Sequence, residues 1–301
     1  MKLSTLSLAC TLLAAVAGAQ AQTTDTLAKI KSSGTIVQGV RESSGALAYT
    51  LGTGVYTGFH YDVCSNIISD VRRQLGLSEL TIQYQPVTSA NRIPLLKNGT
   101  VDIECGSTTN DANRAKEVAF ANTLYVEEVR IAVRADSPIK SVADLNDKTV
   151  ATTTGTTSVQ LLRQNKRAQG MNFRELSGKD HSDSFLLLES GRADAFVMDG
   201  QILAGNIARS KNPKGYKLVG EPLSVEPIAI MLRKDDPAFK KAVDASIARQ
   251  VQDGTVAKLY DKWFMQPIPP TNTALNMPAS AATRAAWANL NDKPKEAYAV
   301  D

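Results

Sequence analysis

The chain has 301 residues, with 34 Lys and Arg against 30 Asp and Glu for a formal charge of +4, enough for roughly two modest domains with packed cores. The charge excess is mild and spread along the chain, without a polybasic run or basic residues interleaved with aromatics. That argues against a nucleic-acid or membrane-surface partner. The only histidines are His60 and His181, and neither has ligand spacing, so no metal or other cofactor is expected.

Lys2, the apolar run 6–16 and Gly18-Ala19-Gln20-Ala21 read as a signal peptide over residues 1–21, cut after Ala21. Its loss removes only Lys2 among charged residues, so +4 becomes +3. No later apolar segment is long enough to span a bilayer, so the mature chain is expected to be exported and soluble. Cys10 lies in the removed segment. Cys64 and Cys105 remain, an even pair in an oxidising compartment, consistent with a disulfide or with two separately buried thiols.

Residues 24–32 read as a short amphipathic helix closed by Ser33-Gly34, and 35–40 as the first strand, with Arg41-Glu42-Ser43-Ser44 just beyond it. The glycine- and threonine-rich stretch 49–58 reads as a hairpin or loop. A helix over 61–75 carries Cys64, Ile67, Ile68 and Val71 on one face, and 80–86 alternates as a strand. Then comes the stretch 88–118. Ser89 and Arg92 precede a short helix stopped by Asn98-Gly99, 101–105 has strand alternation, and Gly106-Ser107-Thr108-Thr109-Asn110 reads as a polar loop before a helix start bearing Arg114. Further strands are expected at 130–134, 148–153, 171–176, 193–200, 218–220 and 227–232. Helices are expected at 159–168, 184–189, 201–210, from 234 to 253, at 255–264 and at 281–290, with 177–183 a polar loop. Alternating strands and helices argue for a mainly parallel, helix-covered α/β sheet, whose ligands bind outside the strand C-termini.

Several residues gather at such ends. Thr154-Gly155-Thr156-Thr157-Ser158 turns a strand into a helix and presents free N–H groups that suit an anion, although Thr157 also reads as a plain N-cap. Asp199 ends a strand, where it can receive a ligand ammonium or cap the next helix. Two arginines and several hydroxyls around 88–118 suit a small anionic ligand.

From residue 33 to about 270 the chain resembles a periplasmic amino-acid-binding protein of an ABC importer, solute-binding protein family 3, nearest the glutamate/aspartate-binding subgroup. The resemblance rests on Arg41-Glu42-Ser43-Ser44, Thr88-Ser89-Ala90-Asn91-Arg92-Ile93-Pro94-Leu95-Leu96, Cys105-Gly106-Ser107-Thr108-Thr109-Asn110 and Gly155-Thr156-Thr157-Ser158. Lys179-Asp180-His181-Ser182-Asp183-Ser184-Phe185, Glu189-Ser190-Gly191-Arg192-Ala193, Met198-Asp199, Met231-Leu232-Arg233-Lys234-Asp235-Asp236-Pro237 and Lys262-Trp263-Phe264 complete it. It implies an α/β, two-lobed periplasmic binding protein fold of type II with two crossover hinge strands. Lobe 1 would comprise 22–125 and 227–301, including the C-terminal tail, and lobe 2 would comprise 126–226.

The resemblance also implies roles. Arg114 would clamp an α-carboxylate, with Ser107, Thr109 and Thr157 adding hydrogen bonds, and Asp199 would take the α-ammonium. Arg41, Ser89, Arg92 and His181 would surround a side-chain carboxylate. A monomeric periplasmic protein with an acidic L-amino acid as ligand and permease subunits as partners follows. Gly200 stands where a second acidic residue occurs in that subgroup, and the loop 46–57 is individual to this chain. Two other classes compete. Some exported dehydratases resemble this fold, but His181, Asp183 and Ser184 in one short segment do not make a nucleophile, base and orienter, and no enzyme is expected. A ligand sensor would need a separate membrane receptor.

Overall fold

The computed structural model describes residues 25–298, so the signal-peptide reading over 1–21 lies outside the described residues. Helix α1 (Thr26–Ser33) is capped by the Asp25 side chain, which accepts from the Ala28 N–H at 2.8 Å. It leads to β1 (Thr35–Val40), and β2 (Ser43–Ser44), β3 (Ala48–Gly52) and β4 (Val55–Thr57) form a small separate antiparallel sheet. Then come α2 (Phe59–Gln74), β5 (Thr81–Pro86), α3 (Arg92–Lys97), β6 (Ile103–Thr109), a single 3-10 turn at Arg114–Lys116, β7 (Val118–Phe120) and the long β8 (Tyr125–Arg134). The chain continues through β9 (Thr149–Thr153), α4 (Thr157–Ala168), β10 (Arg174–Gly178), α5 (His181–Glu189), β11 (Ala195–Asp199) and α6 (Gly200–Arg209). It returns along β12 (Tyr216–Arg233), then α7 (Pro237–Gln252), α8 (Thr255–Tyr260), a π turn at Asp261–Met265 and α9 (Ala281–Ala288).

The main sheet runs in the order β10-β9-β11-β8-β12-β6-β1-β5, with β7 also on β12. Its two ends are parallel, as the alternation predicts. Its centre is not: β8 and β12 run antiparallel to each other, β8 antiparallel to β11, and β12 antiparallel to β6 and β7. The mainly parallel expectation is therefore corrected to a mixed sheet whose middle is a ribbon of the two crossover strands. Val126 opposes Pro227 and Val129 opposes Ser224 in that ribbon.

Three local expectations are also corrected. The stretch 106–109 is not loop but the continuation of β6, because its backbone pairs with β12 at Thr108 and Thr109. The segments 218–220 and 227–232 belong to one 18-residue strand that absorbs Gly220 and Pro222 in a register shift between Val219 and Ser224. His181 is not in a loop but opens α5, which an Asp180/Asp183 capping box starts three residues earlier than the apolar run suggests.

The strands' period-2 alternation decides what packs where. On β12, Ile228, Ile230 and Leu232 join one core with Phe59, Val63 and Ile67 of α2 and Phe239, Val243 and Ile247 of α7. The residues between them, Ala229 and Met231, face Val87, Leu96 and Phe120 on the other side. The second half repeats the plan: Val129, Ile131 and Val133 pack with Val150 and Leu162, while Ala132 packs with Phe196, Leu188 and Ile202. Each lobe is thus a sheet covered on both faces.

Cys64 of α2 and Cys105 of β6 are joined by a disulfide that closes a sequence separation of 41 and pins the strand leading to Ser107 and Thr109. In the chain-entropy view a loop of that size is worth about 4 kcal/mol. Replacing both cysteines with alanine is expected to lower the urea unfolding midpoint accordingly. An unchanged midpoint and slope would refute a stabilising role for the bridge.

Candidate functional site

The site is assembled where strand ends of the two halves face each other. Arg41, just beyond β1, is fully buried, and its guanidinium donates to Asp180 Oδ1 from the other half. Ser43 Oγ donates to Asp180 Oδ2 at 2.9 Å and accepts from the Ser182 N–H at 3.2 Å. Burial opposes ionisation of Asp180, but Arg41, His181 and the Ser43 hydroxyl hold it down at about 2. It is therefore a carboxylate that links the two halves.

Arg92 opens α3 and is 2 % exposed, and its Nε and Nη1 have no partner within the protein. Burial, then the charges of Arg114 and Arg41, push it down to about 9, against Glu104 and Asp199. It remains a cation at neutral pH. Ser89 Oγ, in the loop before it, is also buried and unpartnered in the protein. Arg114 opens the 3-10 turn, where Asp111 Oδ1 accepts from its N–H at 2.9 Å and Asp111 Oδ2 lies 3.5 Å from its Nε. Its Nη1 donates to Thr109 O at 3.0 Å and its Nη2 crosses to Gly155 O at 3.1 Å. Gly155 has φ +83°, and a Cβ there would lie 2.7 Å from Ala90 Cα, so only glycine permits this approach of the two halves.

Opposite these cations lie His181 and Asp199. His181 Nδ1 is 3.1 Å from Thr153 Oγ1, and Nε2 has no partner within the protein. Burial, then the Arg41 charge, lowers it to about 3, so the ring is neutral. Asp199 is 1 % exposed at the end of β11, and its Oδ1 is unpartnered within the protein. Burial, then the nearby Glu226 carboxylate, raises it to about 7 against the pull of Arg92, Arg114 and Arg41. Glu127 beside it, accepting from the N–H groups of Glu128 at 2.8 Å and Gly200 at 3.1 Å, is pushed well above the usual carboxylate range by burial and by Asp199.

Ser89, Arg92, Ser107, Thr109, Arg114, Thr157, His181 and Asp199 all line one small, nearly filled chamber, together with Thr156 and Met198. Of the nine residues singled out in the sequence, only Arg41 does not line it; its Nη2 donates to Asp180, while its Nε and Nη1 are buried without a partner within the protein. Ser107 Oγ donates to Ser44 Oγ at 2.9 Å. Thr109 and Thr157 both donate to Glu226 Oε2, each at 2.7 Å. Sequence reasoning missed Glu226 and Asp180. The trace of each was faint: a lone acid in the strand word Ser224-Val225-Glu226-Pro227, and the Asp180-x-x-Asp183 spacing of a capping box. Chemically, the chamber sets two arginines, a neutral imidazole and five hydroxyls against one buried carboxyl. That suits a small molecule with more carboxylates than ammonium groups. Among the described residues, no group of three or more His, Cys, Asp or Glu could hold a metal ion, and no helix is long and apolar enough to cross a membrane.

The chain is similar to known proteins along most of its length. The model of the bacterial extracellular solute-binding proteins, family 3, matches residues 36–266. The glutamate/aspartate import solute-binding protein of Escherichia coli (strain K12) is 46% identical over 268 residues, 89% of each chain. The L-glutamate/L-aspartate-binding protein of Pseudomonas aeruginosa is 44% identical over 275 residues, 91% of each chain. Among solved structures, an ancestral amino-acid-binding protein described as a precursor of cyclohexadienyl dehydratase aligns with a TM-score of 0.68 at 29% identity, over 79% of this chain and 99% of its own.

Proposed function

The chain belongs to the bacterial extracellular solute-binding proteins, family 3, and from that footing we propose that it captures L-glutamate or L-aspartate in the periplasm and delivers it to the permease of an ABC importer. The observation that carries the reading is the shared chamber of Arg92, Arg114 and Asp199, with Arg41 close enough to shift its neighbours. Arg114 takes the α-carboxylate and Asp199 the α-ammonium. Arg92, Ser89 and His181 take the side-chain carboxylate, with Arg41 adding its charge from beside Asp180. Lobe 1 comprises 22–125 and 227–301 and lobe 2 comprises 126–226, and the ligand favours their closed arrangement because both hold parts of the site.

The chain works as a carrier rather than an enzyme. Ser184 Oγ donates to Thr152 O at 2.7 Å and lies within 2.8 Å of Thr153 Oγ1, so it is engaged in the fold rather than poised beside a base. Titration calorimetry on the purified mature protein is expected to give micromolar or tighter binding of L-glutamate or L-aspartate. L-glutamine should bind at least about a hundredfold more weakly, because its amide leaves a buried guanidinium without a counter-charge. Equal affinity for glutamine would overturn the choice of an acidic side chain.

A further inference from the structure

Glu226 lies in β12 where the two crossover strands pair, opposite Glu127, and is fully buried. Its carboxylate is held from four directions. Oε2 accepts from Thr109 Oγ1 at the end of β6 and from Thr157 Oγ1 at the start of α4, each at 2.7 Å. Oε1 accepts from Ser224 Oγ at 3.0 Å and faces Lys295 Nζ at 3.4 Å. Lys295 belongs to the C-terminal segment that lies across the crossover strands. There Thr283 Oγ1 accepts from the Val126 N–H at 3.0 Å, Trp287 Nε1 donates to Leu124 O at 2.8 Å, and the Lys295 N–H donates to Asn110 O at 2.8 Å. This segment lies beyond the matched residues 36–266.

A threonine hydroxyl has one proton to give and two lone pairs. Thr109 and Thr157 give theirs to the same carboxylate oxygen, and both also line the chamber. Their remaining capacity there is to accept. We propose that Glu226 is a positioning residue that fixes the polarity of these two hydroxyls, making them acceptors for the ligand's ammonium alongside Asp199. Because one hydroxyl stands on β6 and the other on α4, the shared oxygen sets both only when the two halves meet. The Lys295 ammonium, brought by the C-terminal segment, balances the charge that holds them. The inference rests on the functional reading above, since it presumes a ligand with an ammonium group.

The test is a mutant cycle read by calorimetry with L-glutamate, using the unaltered protein, E226Q, T109V/T157V and the triple variant. The valine pair keeps the shape of both side chains, and melting curves confirm that each variant folds. E226Q is expected to lose about tenfold to a hundredfold in affinity, the range of a hydrogen-bond set to a charged group. In the T109V/T157V background the same change should cost less than about threefold, because its means of action has gone. Losses that multiply instead, the same factor in both backgrounds, overturn the proposal while leaving the functional reading intact. No glutamate binding by the unaltered protein overturns that reading and this inference with it.

Discussion

Replacing Arg114 with methionine will raise the dissociation constant for L-glutamate by roughly thirtyfold to several thousandfold, the equivalent of about 2–5 kcal/mol for stripping one partner from a buried charge pair. The size follows from its placement. Its Nη groups are already aligned by Thr109 O and Gly155 O, one from each side of the chamber, so the planar fork costs little further ordering when a carboxylate arrives. Lysine at the same position should not rescue binding, because a single ammonium cannot bond both carbonyls and both carboxylate oxygens. Calorimetry, with circular dichroism to show that the fold persists, decides the matter. A loss below threefold would show that Arg114 serves the closed shape rather than the ligand.

The second large effect concerns Asp199. A carboxyl raised to about 7 is about nine-tenths ionised at pH 8 and about one-tenth at pH 6. The ammonium needs the ionised form, so affinity for L-glutamate should fall about tenfold between those pH values, with a proton released on binding that makes the heat depend on the buffer. His181, lowered to about 3, adds no inflection in that window. Asp199→Asn should lose about 2–5 kcal/mol of binding free energy at pH 8 and show a flat profile below it. A wild-type affinity independent of pH between 6 and 8 would contradict the assignment. The sign reverses for folding without ligand. Asp199 and Glu127, both raised above their unfolded values, contribute stability at low pH that is lost as pH rises through their folded values.

Most elements were legible because their apolar spacing is local. The face of α2 with Cys64, Ile67, Ile68 and Val71 could be read from period alone, and eight of the nine residues picked for the site line one chamber. What escaped is non-local. Strand direction leaves no mark in a side-chain pattern, so the antiparallel pairing of β8 with β12 was invisible. β12 was read as two strands because Gly220 and Pro222 interrupt its β-branched run, although a bulge carries the pairing past them. Ser107 and Thr109 looked like loop residues because hydroxyls are favoured in turns, but pairing with β12 outweighs that preference. The bond from Arg41 to Asp180, 139 positions later, leaves no local trace either. The C-terminal helix was visible, but its hydrogen bonds to Leu124 and Val126 were not.

The pairing of Val126 with Pro227 carries one more consequence. The chain leaves the first half and re-enters it at neighbouring points on one ribbon, so the whole intervening segment is an insert with adjoining ends. Such a cassette can be exchanged without re-threading the body that receives it, since insertions with close termini leave the host's core intact. Asp199, Thr157 and His181 travel with the cassette, whereas Arg41, Arg92 and Arg114 stay behind. Evolution can thus retune one side of the chamber without re-threading the other.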